Sequence, residues 1–379
     1  VIRAHRRMVD RLRAQVRVGS DWERIFAEVP RHRFLPDRFV PDGGRGEVDR
    51  WHDEAVWLEA AYADQGVTVG HHSAGGHGGA RSIGGSVCSP SRAADLLVRA
   101  DLTRGTHVLE IGTGSGYCSA LMCGFLGEDA VVSVEIDPER ADRARVNLLG
   151  AGAVPTVVAG DGLDGCAIRA PFDRVVSSVP VDRLPDRWVD QCLPGGRILT
   201  RWGGSFSHDL VADLRVGADG RARGHFAVAR PCAPALAGEH EAALISRYVR
   251  PGEEERSHAF DLDAWDLMDE ASALCCGLAM PGVRRIVRPA LLRSDLRVAL
   301  YLIDPESGSW ALGAVAAQAP RGVLARQRGP RMLFDEWARA HMAWKRVGRP
   351  GLDRFGVTSG PMGQTIWLDD ERTVWAVTE

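Results

Sequence analysis

Apolar and polar positions fall along this chain in blocks that predict a layered fold. Short apolar runs lie near 106–111, 131–135, 156–159, 172–178 and 196–201, each with the length of a strand. The first is followed by a glycine turn and a helix-like segment before the second begins. Strand, turn, helix, strand is the repeating unit of a doubly wound α/β fold. Two further runs, near 209–216 and 223–230, flank Gly217-Ala-Asp-Gly220, a hairpin signal that predicts a final antiparallel pair. At the start, Val1-Ile-Arg-Ala-His-Arg-Arg-Met-Val-Asp has apolar residues at helical spacing.

Beyond residue 240 the patterns mix. Helical spacing is read over 260–278 and again over 332–347, where Trp337, His341 and Trp344 share one face. Strands are predicted at 298–303 and 309–315, separated by the turn Asp304-Pro-Glu-Ser-Gly308, with a last strand at 363–369. The chain therefore divides into an α/β core over 1–232 and a C-terminal α+β domain over 240–379. Glu253-Glu-Glu-Arg after Pro251-Gly252 reads as the junction.

The stretch Val108-Leu-Glu-Ile-Gly-Thr-Gly-Ser-Gly-Tyr117 carries the chemistry. Its glycines, Gly112, Gly114 and Gly116, follow a strand and open a helix, so the backbone can approach a ligand with no Cβ in the way. The next strand ends in Glu135, placed to accept hydrogen bonds from a ribose diol. The third ends in Gly160-Asp161-Gly162, where a short acid can reach the exocyclic amine of an adenine. Adenosine contacts with no evident pyrophosphate site point to S-adenosyl-L-methionine. Glu110, inside the first strand, is expected near that cofactor's cationic end.

These motifs resemble those of the protein-L-isoaspartate O-methyltransferase family. Phe26-Ala-Glu-Val-Pro30-Arg-His-Arg-Phe34-Leu-Pro36 is similar to its N-terminal signature, and Ala61-Tyr62-Ala-Asp64 to its entry into the active-site loop. Pro171-Phe-Asp-Arg-Val-Val-Ser-Ser-Val-Pro180 and Leu193-Pro-Gly-Gly-Arg-Ile-Leu199 are similar to its fourth and fifth strands. The resemblance implies a Rossmann-like S-adenosylmethionine-dependent methyltransferase core, with the cofactor held by Glu110, Gly112, Gly114, Gly116, Tyr117, Glu135, Asp161 and Gly162.

Departures from the family concern the substrate side. Where the family has Thr-Ile-Ser-x-Pro, this chain has Ser86-Val-Cys88-Ser-Pro90. Cys88 thus takes the place of the serine beside the reacting carboxylate, and Cys88 and Ser86 are the catalytic candidates. A contact role is expected for the Cys88 thiol; a nucleophilic one is not, because no cation that would lower its pKa is visible. The preceding segment, 70–85, is glycine-rich and carries His71, His72 and His77. With Asp64 these form an expected substrate loop, and no metal is predicted, because no cysteine or carboxylate in it completes a ligand set.

Composition narrows the setting. Among 379 residues, 45% are hydrophobic and 26% charged, and the net charge of −3 argues against nucleic acid or a membrane surface as partner. No apolar run reaches transmembrane length and no signal-peptide core is visible, which predicts a cytoplasmic protein. Eight cysteines show no metal-type pairing.

A peptide or protein bearing an aspartate or isoaspartate carboxylate is the expected partner. Carboxylates are ionised at neutral pH, so positioning is required more than a base. Two branches follow from the resemblance. One is repair of isoaspartyl residues. The other, resembling extended actinobacterial relatives that accompany lanthipeptide, lasso or graspetide pathways, is methylation of a normal aspartate that then closes to an aspartimide. The altered loop, Cys88 and the extra domain, read as a substrate-recruitment element, favour the second. A non-catalytic peptide-binding scaffold is the reading from another class.

Overall fold

The computed structural model describes residues 1–42, 46–69, 85–203, 206–207, 210–229, 244–250, 255–289, 296–316, 321–361 and 363–378. A ten-stranded sheet organises the chain. Its strands are β1 (Val108–Ile111), β2 (Val131–Glu135), β3 (Thr156–Ala159), β4 (Phe172–Val181) and β5 (Cys192–Trp202). They continue with β6 (Leu210–Val216), β7 (Ala222–Val228), β8 (Phe355–Gly360), β9 (Gly363–Leu368) and β10 (Val374–Thr378). The spatial order is β10-β9-β8-β7-β6-β5-β4-β1-β2-β3. The five strands from β3 to β5 pair in parallel and the remaining five join antiparallel.

Strand order reverses between β1 and β4, so the crevice outside their carboxyl ends is the ligand position of such a sheet. β1 and β2 are buried along their whole length. Helices Tyr117–Leu126 and Pro138–Ala151 carry the chain back between parallel strands. The second starts where Asp137 accepts from the amides of Glu139 and Arg140 and Pro138 fills the first turn, and it stops at Gly152 in the left-handed conformation. The predicted hairpin joins β6 to β7, the Gly217 amide donating to Arg221 at 2.8 Å. Helices Ile2–Val16 and Ser20–Glu28 cover one face, burying Met8, Leu12, Ile25 and Phe26. A four-stranded sheet, Val48–Asp49, Arg38–Pro41, Val67–Val69 and Gly85–Val87, stands beside them.

The C-terminal part departs from its sequence pattern in two ways. Residues 260–278 were expected to be one helix, but Arg256–Asp263 is a strand and the helices are Ala264–Met268 and Glu270–Ala279. Phe260 and Leu262 satisfy a two-residue period as well as a helical one, and pairing with Arg321–Arg328 selects the strand. Asp269 then caps the second helix by accepting from the Ser272 amide at 2.7 Å. The five-stranded antiparallel sheet so formed is packed by helix Leu333–Arg346, whose Phe334 lies where a Cβ on Gly313 would be.

The second departure concerns 355–378. These strands return to the central sheet, β8 pairing with β7 from Ala222↔Ser359 to His225↔Gly356. Phe355, Val357 and Ile366 share a core with Trp188, Leu214 and Phe226. The stretch 240–379 is therefore divided between two sheets.

Candidate methyl-transfer site

The glycine turn lies at the switch point. Gly112, Gly114 and Gly116 have φ values of 91°, 56° and 89°, a region that only glycine enters cheaply. A Cβ on Gly112 would stand 2.6 Å from Val179 Cγ2, because the end of β4 packs directly on the turn. A Cβ on Gly114 would meet nothing within 4 Å. The front of the turn is thus an open cradle for a ligand.

One acid, Glu135, meets that cradle from the end of β2, and a second, Asp161, follows the end of the neighbouring β3. Glu135, 5% exposed, accepts from the Gly114 amide at 2.9 Å and from Asp137 at 3.2 Å, with Arg140 Nε 3.4 Å away. Exposed Asp161 accepts from the Leu163 amide at 2.9 Å. Beside it, Gly162 packs so closely that a Cβ would lie 2.6 Å from Ile111 Cγ2. An open turn, an acid for a diol and an acid for an amine fit S-adenosylmethionine.

Glu110 is enclosed behind the turn, at 2% exposure. Ser119 and Ser133 donate to it, the latter at 2.6 Å, and Ser133 is also 2.6 Å from Thr113 Oγ1. Burial outweighs those hydroxyls and pushes its pKa up to about 7. Glu110 therefore supports the turn from below through three hydroxyls. Sequence reasoning missed those hydroxyls, although a lone serine in the run Val131-Val-Ser-Val was a visible signal. Tyr117, expected at the cofactor, is buried against Phe26 and Phe34, with ring centroids 6.4 and 5.5 Å apart. Its ring thus packs on the segments that precede the central sheet.

The residues expected on the substrate side gather around Arg31, also missed although it lies in the Val-Pro-Arg motif. Its fully buried guanidinium donates to the carbonyls of Ala61 at 2.6 Å, Gln65 at 3.0 Å and Cys88 at 3.0 Å. One side chain thereby ties the Tyr62–Asp64 corner to the segment carrying Cys88. Asp64 accepts from the Ser91 amide at 2.9 Å, at the start of helix Pro90–Arg99. The Cys88 thiol shares a hydrogen bond with Cys118, which holds Cys88 down to about 7 and drives Cys118 up. Arg31, Arg92 and Arg201 add to the lowering at Cys88, so the cation that the sequence did not reveal is supplied by tertiary packing. Ser86 lies in strand Gly85–Val87. His71, His72 and His77 fall outside the described residues. Among the described residues no group of three or more metal-binding side chains occurs, and no helix is long and apolar enough to cross a membrane.

Known proteins match this arrangement. The protein-L-isoaspartate(D-aspartate) O-methyltransferase family matches residues 47–211. The protein-L-isoaspartate O-methyltransferase of Anaeromyxobacter dehalogenans is 36% identical over 200 residues, 52% of this chain and 88% of that protein. That of Hyperthermus butylicus is 29% identical over 244 residues, 62% of this chain and 86% of that one. A solved structure of a protein-L-isoaspartate O-methyltransferase shares the fold with a TM-score of 0.53 at 18% identity, over 97% of this chain and 100% of that one. The likeness in fold therefore runs through the C-terminal part. With an open glycine cradle bonded by Glu135 and relatives of this identity, the chain belongs to the protein-L-isoaspartate O-methyltransferase family and is an S-adenosylmethionine-dependent carboxyl O-methyltransferase.

Proposed function

We propose that this enzyme methylates the side-chain carboxylate of a normal aspartate in a constrained, ribosomally made peptide, and that the ester then closes to a succinimide. The observation that carries the reading is Cys88. A larger, softer and more acidic group replaces the family's serine beside the acceptor, while the cofactor elements keep their pattern. S-adenosylmethionine, when bound, supplies an electrophilic methyl group. Glu135 and Asp161 orient its adenosine, and the glycine turn, braced by Glu110, lets it approach the backbone. Asp64, Arg31 and Cys88 shape the opposite wall, where one carboxylate oxygen must be held in line and water excluded.

Ring closure needs no further group. The following backbone nitrogen attacks the ester carbonyl and loses its proton, and methoxide leaves with that proton as methanol. From the starting aspartate the net change is loss of one water.

Repair of isoaspartyl residues is the second reading. It is supported by the names of the relatives and by the fold likeness through the C-terminal part, which lessens the weight of that part as a sign of altered substrate. Mass spectrometry separates the two. A macrocyclic aspartyl peptide is expected to gain one methyl and then show net loss of water, while a linear isoaspartyl peptide is methylated little. Rapid turnover of the linear isoaspartyl peptide, with none on normal aspartate, would restore repair.

A further inference from the structure

A cavity of about 320 Å³ lies between the central sheet and the C-terminal part. Its walls are Trp202, Phe206, Leu274, Leu278, Met280 and Val283, and its rim is Asp182, Arg183 and Gly203. Its size is at the lower end of the range of ligand pockets, roughly 300–1,000 Å³. Such a volume suits one or two side chains and not a folded partner. Helix Glu270–Ala279 comes this close because position 277 is glycine: a Cβ there would stand 2.9 Å from that of Phe206.

One segment of chain, 178–183, joins the glycine turn to the cavity. At one end of the connecting segment, Ser178 Oγ is 3.3 Å from the Gly112 carbonyl and Val179 packs on that glycine. At the other end Asp182 and Arg183 form the cavity rim, which continues as an open groove along Pro180–Asp186. Four residues of extended chain cover about 13 Å. A peptide lying along this groove, with its carboxylate facing the cofactor methyl between the glycine turn and the opposite wall, places a residue three or four positions away over the cavity. The walls there are apolar, and burial of one aromatic side chain supplies the binding energy that a flat polar groove lacks.

We propose that this cavity is a peptide subsite that takes a large apolar side chain three or four residues from the carboxylate to be methylated, so that the C-terminal part reads substrate sequence. The assignment rests on the reading that the acceptor is a peptide carboxylate.

The test uses cyclic decapeptides of alanine, serine and glycine carrying one aspartate and one p-benzoylphenylalanine, with the two residues one to five positions apart. Linear isoaspartyl counterparts run in parallel. After irradiation with the full-length enzyme and S-adenosylmethionine, adducts are mapped by mass spectrometry. Adducts concentrated on 274–283 and 202–206, strongest at separations of three and four, are expected. Leu278→Trp, which fills the cavity, should reduce them at least tenfold while S-adenosylmethionine binding is kept. Adducts elsewhere at every separation, no adducts, or undiminished adducts in Leu278→Trp would overturn the subsite. Separation dependence is read on the unaltered chain, so a misfolded variant does not remove the test. Methyl transfer is scored on the same peptides: adducts without transfer to any of them would count against the carboxyl acceptor and leave the subsite standing.

Discussion

The Gly114 amide donates to Oε2 of Glu135 at 2.9 Å, joining the middle of the glycine turn to the tip of the neighbouring strand. In the proposed function this acid both orients the ribose and holds the turn that cradles the rest of the cofactor. Glu135→Ala removes both. Each charge-assisted hydrogen bond lost costs about 1.5–3 kcal/mol, so the dissociation constant for S-adenosylmethionine should rise by at least tenfold in calorimetry, and Glu135→Gln should fall between. Wild-type affinity in the alanine variant would show that the ribose assignment is wrong.

Cys88 should be the most readily alkylated of the described cysteines. Its thiolate is favoured by the bond from Cys118 and by Arg31, whereas Cys118, Cys123, Cys192, Cys275 and Cys276 are pushed up. Iodoacetamide labelling followed by peptide mapping should show a midpoint for Cys88 below that of an ordinary thiol. Cys118→Ala should move that midpoint upward, because the thiolate loses its donor. An unchanged midpoint would mean that the pair is not coupled.

A chain ending near 235 should aggregate. Removing 355–378 strips β7 of its partner along four residue pairs and uncovers the apolar face shared by Phe355, Val357 and Ile366. An unpaired strand edge beside exposed apolar surface associates. Light scattering and thermal melting should report aggregation. A monomeric truncation with unchanged melting temperature would show that these strands add nothing to the core.

Two buried groups make stability depend on pH in opposite directions. His341 bonds Ser272 at 2.6 Å and Asp266 at 3.1 Å and stacks on Trp337, yet burial outweighs Asp266 and depresses its pKa below 6.5. Below pH 6.5 the unfolded state takes a proton that the folded state refuses, so this term weakens as pH falls. Glu110 is raised from 4.5 to about 7. Its term is fully present below pH 4.5 and is lost as pH rises toward 7. Each slope is at most about 1.4 kcal/mol per pH unit. Urea melts from pH 4.5 to 8 should therefore separate the two only in difference curves against His341→Gln and Glu110→Gln. A variant whose pH profile parallels the wild type would remove its residue from the account.

Much of this protein was legible without coordinates. The five parallel strands, the hairpin at Gly217–Gly220 and the turn of Gly112, Gly114 and Gly116 lie where local pattern predicted them. Periodicity, glycine at positive φ and capping residues are properties of neighbours in sequence. The position of Glu135 at the end of its strand was legible for the same reason, and its bond to the Gly114 amide follows from that position.

Other features depend on residues far apart in the chain, and tertiary structure alone decided them. No local rule states that Arg31 will reach Ala61, Gln65 and Cys88, or that its charge and Cys118 will make Cys88 acidic. Phe260–Asp263 carries two periods at once, and only a partner strand sixty residues later selects one. The return of 355–378 to the central sheet has the same cause: a strand's apolar pattern says that it needs an edge to pair with, and the open edge of β7 is the one that the folded chain offers.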